Sequence, residues 1–494
     1  MDYRIFPSIG IARLGDSPDF FVGPEVLGSS GRERSDGAEV TRFKDQLKVR
    51  KQAARFHLFE SSGDGNWAPA NLPAGATVTW TVHVANKKDA IARPSLPPGP
   101  IAAGSQLRPS NDPARSARLI TAKQSISAGG PVRLGGTHAG APVTLGSMQV
   151  DGNGKLLVLA GDGVSASHPP GAPIGNEGGE RGDSFYNNKD WHDDVGDGPV
   201  TADITFADGS AKSATGAWVI MAPPDFARAG ASIVSLYDVI RDLAINENLL
   251  PAPGRPSFTR DIYPLLKRAR SLRWTHGRKG LNGVRPDPNW SKVSDDYVTL
   301  SKATAAEATI RSDNATSVER VHDILRDFDI PQWQLVQLQA WMDAQFDSDW
   351  QGVPAPALTP TAESLTRAAL EATAGQGFFP GIEGGRILTD VSIWQQPFDF
   401  RIAHAALEPG DVTALMAQPW QADFLECQKS WWPSQRPDIA PQADGSFALW
   451  HRPLQPDTGH RDMVAKVMKF GVVTTTVNAG GVEVGVEEGR DPNP

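Results

Sequence analysis

The chain has 494 residues, 39% of them hydrophobic and 21% charged, so it is long enough for about three domains with ordinary hydrophobic cores. Its formal net charge of -9 argues against the clustered Lys and Arg surface that binding to nucleic acid or an anionic membrane requires. We therefore expect small-molecule or protein partners, with no nucleic acid and no membrane among them.

The N-terminal residues, Met1–Pro7, contain no apolar run of the ~7–15 residues that a signal peptide needs. No apolar run approaches the ~18 residues of a membrane span. The sequence therefore predicts a soluble protein that is cytoplasmic, or exported without a recognisable signal peptide. Cys427 is the sole cysteine, so an intramolecular disulfide cannot form. The cysteine content therefore does not indicate whether the protein works in a reducing or an oxidising compartment.

Residues 1–230 show the alternating pattern of half-buried strands, interrupted by Gly and Pro turns. In Val78–Val84 every second residue is apolar, and Val200–Phe206 repeats the pattern. These strands predict a β-sandwich-like N-terminal region.

Helical spacing begins near Ser235, where Leu236, Val239, Ile240 and Leu243 recur along one face. The same spacing occurs at Val321, Ile324, Leu325 and Phe328, so residues 231–350 are predicted to be mainly helical. A further helix is predicted to begin near Thr359–Pro360, with Thr359 as its N-cap, and to end at Gly375 or Gly377. Residues 351–494 are predicted to form a mixed C-terminal region, which gives a mixed α+β fold overall.

An acidic run between the two halves of the strand region combines His192 with Asp194 and Asp197. An imidazole and several carboxylates are ligands that a divalent metal can use. Runs of Asp and Gly are also typical of hydrated turns. We take the turn as the first interpretation and a metal site as the alternative.

Distinctive motifs are spread over nearly the whole chain. They are Phe6–Asp16, Gln52–Phe56, Trp80–Lys88, Asp197–Val200, Ala217–Phe226, Ser257–Pro264, Phe379–Glu383, Pro409–Thr413, Pro419–Cys427 and Trp431–Asp438. Together they resemble the lysine ε-oxidase and glycine oxidase family of cysteine tryptophylquinone enzymes. In that family a cysteine sulfur is bonded to an oxidised tryptophan, and an aspartate four residues before the cysteine assists the modification. Asp423 and Cys427 match these two positions.

The spacing of Asp423 and Cys427 has a physical reason of its own. If the segment is helical, residues four apart share a face, so the carboxylate and the thiol could point into one cavity. An aspartate there could take a proton from the thiol or indole during cross-linking and later from the substrate. We therefore predict that Asp423 and Cys427 belong to the active site.

The resemblance breaks at the residue that would become the quinone. The family pattern places a tryptophan where Asp462–Gly471 has Val467, and no tryptophan follows Trp450. Valine has no indole, so the standard cofactor cannot form at this position. Trp431 and Trp450 are the alternative cross-link partners, with Trp432 beside the first of them.

His460 directly precedes this altered segment. A histidine there could bind a substrate carboxylate or stabilise developing charge, although histidines with a purely structural role are commoner. We include it among the predicted catalytic residues.

Two functions follow from the resemblance. In the first, the chain is an amino-acid or primary-amine oxidase that releases ammonia and hydrogen peroxide, with a flavoprotein as maturation partner. In the second, a divergent member without the quinone uses the same pocket for binding, or for a metal-dependent or cofactor-free modification of an amino acid or peptide. We expect a homo-oligomer in either case.

Overall fold

The structure is a computed structural model. It describes residues 1–63, 65–90, 113–175, 188–230, 232, 234–271, 277–280, 283–286, 330–347, 349, 359–375, 386–426, 435–452, 454, 459–479 and 483–494.

Six α-helices lie within the described residues. They are α1 (Leu236–Asn246), α2 (Tyr263–Ser271), α3 (Gln332–Met342), α4 (Ala362–Glu371), α5 (Trp420–Glu426) and α6 (Gly459–Lys466). A π-helical turn, Phe258–Ile262, precedes α2, and 3-10 turns lie at Pro113–Arg118, Arg386–Thr389, Val391–Ile393 and Val467–Lys469. In the part of the chain that the structure describes, no helix combines the length and apolar character needed to cross a membrane.

The strands outnumber the helices and lie mostly in the N-terminal half. In chain order they are β1 (Asp2–Phe6), β2 (Ile9–Arg13), β3 (Phe20–Val22), β4 (Arg32–Glu33), β5 (Lys44–Asp45), β6 (Lys48–Val49), β7 (Lys51–Ser61), β8 (Ala68–Pro69), β9 (Thr77–Asn86), β10 (Ile120–Ile126), β11 (Gly129–His138), β12 (Ala141–Val150), β13 (Leu156–Ala160), β14 (Ala166–Ser167), β15 (Trp191–His192), β16 (Gly196–Thr205), β17 (Ala211–Ser213), β18 (Ala217–Ala222), β19 (Gly277–Gly280), β20 (Gly283–Pro286), β21 (Ile439–Pro441), β22 (Phe447–Leu449), β23 (Val472–Val477) and β24 (Glu483–Glu488).

One large sheet organises the N-terminal half. Its main path runs β10-β9-β16-β18-β2-β7-β13-β12-β11, and the end strands β10 and β11 are neighbours in sequence and in space, so the sheet nearly closes on itself. The mixed α+β character that the sequence predicts is confirmed. The strands that suggest a sandwich-like region form this single curved sheet rather than two separate sheets. The division into residues 1–230, 231–350 and 351–494 stays a prediction.

The predicted strands and helices correspond well to the observed ones where the structure describes them. Val78–Val84 lies inside β9, with Trp80, Val82 and Val84 buried, and the second predicted strand corresponds to β16. Helix α1 begins after Ser235, whose hydroxyl accepts a hydrogen bond from Asp238 N, as in a capping box.

Two other helix predictions have different outcomes. The predicted helix after Thr359–Pro360 is α4, but its N-cap is Thr361, because only that hydroxyl accepts from the Ser364 amide. The helix predicted around Val321–Phe328 lies outside the described residues.

Strands β2 and β18 are buried on both faces, which explains why Ala217–Ala222 is apolar throughout. On one face, Ile9 and Trp218 pack with α1, α4 and the segment around Phe398–Val412. On the other, Ala12 and Val219 join the main core inside the sheet. The C-terminal helices α5 and α6 contribute to this inner core. The sheet therefore separates an inner face, which carries α5 and α6, from an outer face, which carries α1 and α4.

Candidate functional site

Helix α5 leads directly to the sole thiol, and a buried ion pair anchors its first turn. The Asp193 carboxylate accepts a hydrogen bond from Trp420 N at 2.9 Å, which places an anion at the helix N-terminus. The Lys88 ammonium lies 2.5 Å from the same carboxylate and donates to Ala417 O at 2.8 Å. Asn86 Nδ2 donates to the other carboxylate oxygen at 2.9 Å. Because both ions are buried, these hydrogen bonds offset much of their desolvation cost.

Two buried glutamines extend this anchoring to neighbouring loops. Gln418 Nε2 donates to the backbone oxygens of Asn188 and Trp191 at 2.8 and 2.6 Å, and Asn188 Nδ2 donates back to Gln418 O at 2.7 Å. One turn further on, Gln421 Oε1 accepts from Ser165 Oγ at 2.7 Å. The start of α5 is therefore held by segments from three separate parts of the chain.

Helix α6 packs against the last turn of α5. A β-carbon added at Gly459 would come 2.8 Å from Cδ2 of Leu425, so the start of α6 lies directly against that side chain. The next residue, His460, lies against the loop at Gly175, where a β-carbon would be 2.5 Å from its Nδ1. The turn that carries His460 is thus beside the turn that precedes the thiol.

Val467 follows α6 and is fully buried in the inner core. Trp450 belongs to the same cluster and is also fully buried. Its Nε1 donates to Gly471 O at 2.8 Å, and its ring lies 5.0 Å from the Phe226 ring and 4.9 Å from the Phe470 ring, centroid to centroid. Trp450 is therefore enclosed by core side chains and its polar atom is satisfied.

Asp194 lies beneath a loop that contacts both α5 and the segment after Val467. One carboxylate oxygen accepts from the amides of Gly163 and Val164 at 2.7 and 3.2 Å, and Gly163 in turn contacts Met468. The other oxygen, Oδ1, is buried and has no hydrogen-bond partner among the described residues. Burial, assisted by the neighbouring charge of Asp193, raises the pKa of Asp194 to about 7. A buried acid with this pKa can exchange protons near neutral pH.

Asp197 has a structural role at the opposite end of the acidic run. Its two oxygens accept four hydrogen bonds, from Thr413 N (2.8 Å), Thr413 Oγ1 (2.6 Å), Trp218 Nε1 (2.9 Å) and Val412 N (3.3 Å). Burial raises the pKa of Asp197 to about 6, although these hydrogen bonds act in the opposite direction. The carboxylate therefore fixes the loop around Thr413 to β16 and β18.

His192 stands apart from both carboxylates in its contacts. Its ring lies 4.7 Å from the ring of His138, and burial, together with that second imidazole, lowers the pKa of His192 to about 4. Within the described ranges no three side chains of His, Cys, Asp or Glu converge as a metal ion requires. The carboxylates of the metal alternative, Asp194 and Asp197, instead bind two different backbone segments.

Comparison with known proteins establishes the family of this chain. Two domain models match the chain: L-lysine epsilon oxidase N-terminal over residues 6–221, and L-lysine epsilon oxidase C-terminal domain over residues 312–450. Together they account for well over half of the sequence. The chain belongs to the L-lysine ε-oxidase family.

Relatives from one bacterium agree with this family assignment. The chain is 24% identical over 541 aligned positions to the L-lysine 6-oxidase of Marinomonas mediterranea, which covers 86% of this chain and 71% of that protein. Two crystal structures from the same organism share the fold. The L-Lys epsilon-oxidase has a TM-score of 0.73 at 18% identity, and its Schiff base intermediate with L-Lys has a TM-score of 0.72 at 19% identity. Each comparison covers 99% of this chain and 95% of the other.

The family's quinone requires a cysteine and a tryptophan side by side. Val467, which the sequence resemblance predicts to stand at the position of that tryptophan, is packed in the core and has no indole, so no quinone can form from residue 467. Asp423 lies in α5, one turn before Cys427, but its side chain is outside the described set. Cys427, Trp431 and Trp432 also lie outside the described residues. The catalytic assignments of Asp423, Cys427 and His460 stay predictions.

Several residues that build this site were not predicted. Lys88 and Asp193 lie in segments noted for their family resemblance or acidity, yet nothing in the sequence indicates that they meet at α5. Gln421 is an ordinary polar residue whose role depends wholly on burial. Asp194 appeared only as a possible metal ligand, whereas the structure places it beneath the loop at Gly163.

Proposed function

We propose that this chain is an oxidoreductase that oxidises the primary amino group of an amino acid or related small amine. Two electrons and two protons leave the carbon–nitrogen bond, water hydrolyses the resulting imine, and oxygen accepts the electrons. Amine, oxygen and water thus give an aldehyde or keto acid, ammonia and hydrogen peroxide. Family membership along most of the chain supports this proposal, and the relatives' action on L-lysine indicates the substrate class.

The packing of α5 against α6 is the observation that carries the proposal. The helix that leads to the sole thiol ends beside the helix that leads to Val467, and both belong to one sealed core. The first turn of α5 is anchored by buried hydrogen bonds, and a rigid element of this kind is suited to supporting a fixed catalytic centre. This arrangement favours the oxidase over a divergent protein that only binds its ligand.

The identity of the electron carrier is a separate part of the proposal. Because Val467 has no indole, the carrier is not the pair of residues 427 and 467. Trp431, four residues after Cys427, and Trp450 are the remaining candidates for a bond to the thiol. Trp450 is the weaker candidate, since its N–H is already bonded to Gly471 O and aromatic rings pack against it.

Proton transfer is assigned to the chain's own acids. Asp423, one helical turn before Cys427, takes the proton from the carbon beside the amine. His460, beside the end of α5, binds the substrate carboxylate. Asp194 lies beneath the loop that Gln421 contacts, and its pKa is about 7. It therefore accepts and releases a proton near neutral pH during the reaction.

The partners of the reaction follow from the same family assignment. A small amine or amino acid is the substrate, and a flavoprotein is proposed to assist maturation. Assembly as a homo-oligomer belongs to this proposal as well.

Peroxide formation and peptide mass together test the proposal. The protein, purified from the cells that encode it, is supplied with each common amino acid and with simple primary amines. Oxygen uptake, peroxide and ammonia are measured, and the peptide that contains Cys427 is mapped. We expect equal amounts of peroxide and ammonia from at least one substrate, and a Cys427 peptide heavier than its sequence predicts.

Three variants complete the test. Cys427→Ala and Asp423→Asn should lower kcat at least about 100-fold, as expected for groups at the reacting atoms. Asp208→Asn, in an exposed turn, is the matched control and should retain full activity. A free thiol at unmodified mass, together with no peroxide from any amine, would exclude the oxidase.

A further inference from the structure

A cleft of about 580 Å³ lies on the outer face of the large sheet, away from the candidate site. That volume is within the range of small-molecule sites. Its walls come from β1, α1, α3, α4, the π-helical turn before α2 and the segment Phe398–Phe400. No residue of α5 or α6 lies among the described residues that line it. The cleft is therefore separate from the helices of the candidate site.

The lining of the cleft is richer in positive charge than the chain as a whole. Its charged side chains, among the described residues, are five arginines and three acids: Arg4, Arg241, Arg255, Arg260, Arg367, Asp261, Glu363 and Asp399. The whole chain, by contrast, has a formal net charge of -9. Arginine binds phosphate and carboxylate groups through paired hydrogen bonds, which lysine cannot form. An excess of arginine in an otherwise acidic protein therefore points to an anionic ligand.

Arg241 is a cation of the lining that no carboxylate neutralises among the described residues. Its guanidinium lies 4.7 Å from the ring of Trp333 and 5.9 Å from the ring of Tyr237, and its Nη1 makes one long hydrogen bond, 3.4 Å, to Tyr237 Oη. The other two nitrogens, Nε and Nη2, make no hydrogen bond in the part of the chain that the structure describes, and neither is enclosed. These two nitrogens are therefore available to donate to a bound anion.

Arg367 brings a second guanidinium to the same end of the cleft. It lies 5.0 Å from the ring of Tyr237, and its Nε donates to Glu371 Oε1 at 2.7 Å. Its Nη1 and Nη2 make no hydrogen bond within the described ranges, and they too are not enclosed. Because Arg241 comes from α1 and Arg367 from α4, two separate helices bring available donors to one ring.

The number and origin of these donors favour a phosphoryl group. Such a group has three terminal oxygens, so it can accept hydrogen bonds from two arginines at once. Arg255 and Arg260 also line the cleft, and their side chains are 56% and 64% exposed in their ion pairs with acids. Ion pairs as exposed as these contribute little to stability, so either arginine can turn towards a ligand at small cost.

We infer that this cleft is a second ligand site, and that it binds a phosphoryl group, either as free phosphate or as part of a small organic phosphate. The oxygens accept hydrogen bonds from Arg241 and Arg367, while the exposed Arg255 and Arg260 add positive charge. The inference goes beyond the proposed oxidation and does not depend on it, because the cleft shares no described residue with the candidate site.

Calorimetric titration of inorganic phosphate and of butyl phosphate into the full-length protein, at constant ionic strength, tests the inference. Arg241→Met should weaken the binding of both at least about tenfold, since it removes a charged hydrogen-bond donor. Glu363→Gln, in the first turn of α4, should instead strengthen binding about two- to fivefold, because it removes a like charge from the lining. Arg133→Met, at an exposed position of β11, is the matched control and should leave the affinity unchanged.

The two phosphates distinguish the sources of the ligand. Tighter binding of butyl phosphate would assign the site to an organic phosphate, and binding of inorganic phosphate at least as tight would assign it to free phosphate. Butyrate, with one charge and two acceptor oxygens, should bind more weakly than butyl phosphate.

Three results would overturn the inference. The first is that neither phosphate binds up to about 10 mM, a concentration at which even weak sites respond. The second is equal affinity for butyrate and butyl phosphate, which stays decisive if a variant fails to fold. The third is unchanged phosphate affinity in an Arg241→Met protein whose circular dichroism matches that of the wild type.

Discussion

The ammonium of Lys88 lies 2.5 Å from the carboxylate of Asp193, and both side chains are buried. The pair connects the end of β9 to the start of α5, because the same carboxylate accepts from Trp420 N and the same ammonium donates to Ala417 O. An ion pair on the surface contributes little to the free energy of unfolding. A buried pair that also bonds to the first turn of a helix is different, because breaking it leaves an unpaired charge in the interior.

Replacing Lys88 by Met should destabilise the protein strongly. The substitution leaves the Asp193 charge buried without its counter-ion, which costs about 3–5 kcal/mol in comparable cases. Denaturant unfolding measures the change in the free energy of unfolding. The neighbouring residue supplies the control: Lys87 pairs with the exposed Glu408 and with Asp411, so Lys87→Met should cost less than about 1 kcal/mol. Equal effects of the two substitutions would contradict the assigned role.

Asp194→Asn should change how stability depends on pH. The folded-state pKa of Asp194, about 7, lies above the usual value for aspartate, so folding favours the protonated form. The contribution of the protonated Asp194 to the free energy of unfolding is complete below about pH 4 and is lost as the pH rises to about 7. The stability of the variant relative to the wild type should therefore increase over that interval, by at most about 1.4 kcal/mol per pH unit. Thermal unfolding at several pH values measures this difference, and parallel profiles would refute it.

Val467→Trp, which introduces the residue type that the resemblance predicts at this position, should destabilise the protein. Val467 is fully buried beside Met463, Phe470 and other core side chains, so an indole there overpacks the core and costs about 1–3 kcal/mol or more. Val477→Trp, at an exposed position of β23, is the control of equal size change and should have little effect. A variant at 467 as stable as the wild type would show that the core beside α6 has space for an indole.

Asp197→Asn should lower the free energy of unfolding strongly, although the two side chains have nearly the same size. Both oxygens accept two hydrogen bonds each, so the new amide group would face two donors and lose its partners, at about 2–3 kcal/mol. Asp203 lies on the same strand but accepts from an exposed serine, so Asp203→Asn should cost less than about 1 kcal/mol. Chemical unfolding of the two variants gives the comparison. Similar midpoints would mean that Asp197 does not fix the Thr413 loop.

Local patterns predicted the elements well, while long-range partners could not be predicted. The alternation in Val78–Val84 depends only on neighbours along one strand, and it correctly identified β9 and the buried face of Trp80. The pairing of Lys88 with Asp193 spans 105 positions, and no local pattern encodes it. Asp197 was considered as a metal ligand because its neighbours in sequence are acidic, whereas its partners in space are amides, a hydroxyl and an indole from distant segments.

The candidate site was predicted only in part for the same reason. The resemblance predicts that Asp423, Cys427 and Val467 belong to the site, and these assignments stay predictions. It could not show that Val467 is buried in the core, nor that Asp194 lies beneath the loop at Gly163.

The anchoring of α5 depends on contacts that form late in folding. Its first turn is secured by groups such as Lys88, which is 329 positions away from its acceptor Ala417. Contacts between residues so far apart in sequence form only after most of the chain has been synthesised and has collapsed. If the proposed maturation partner acts on Cys427 after α5 is anchored, its substrate is the folded protein rather than a stretch of nascent polypeptide.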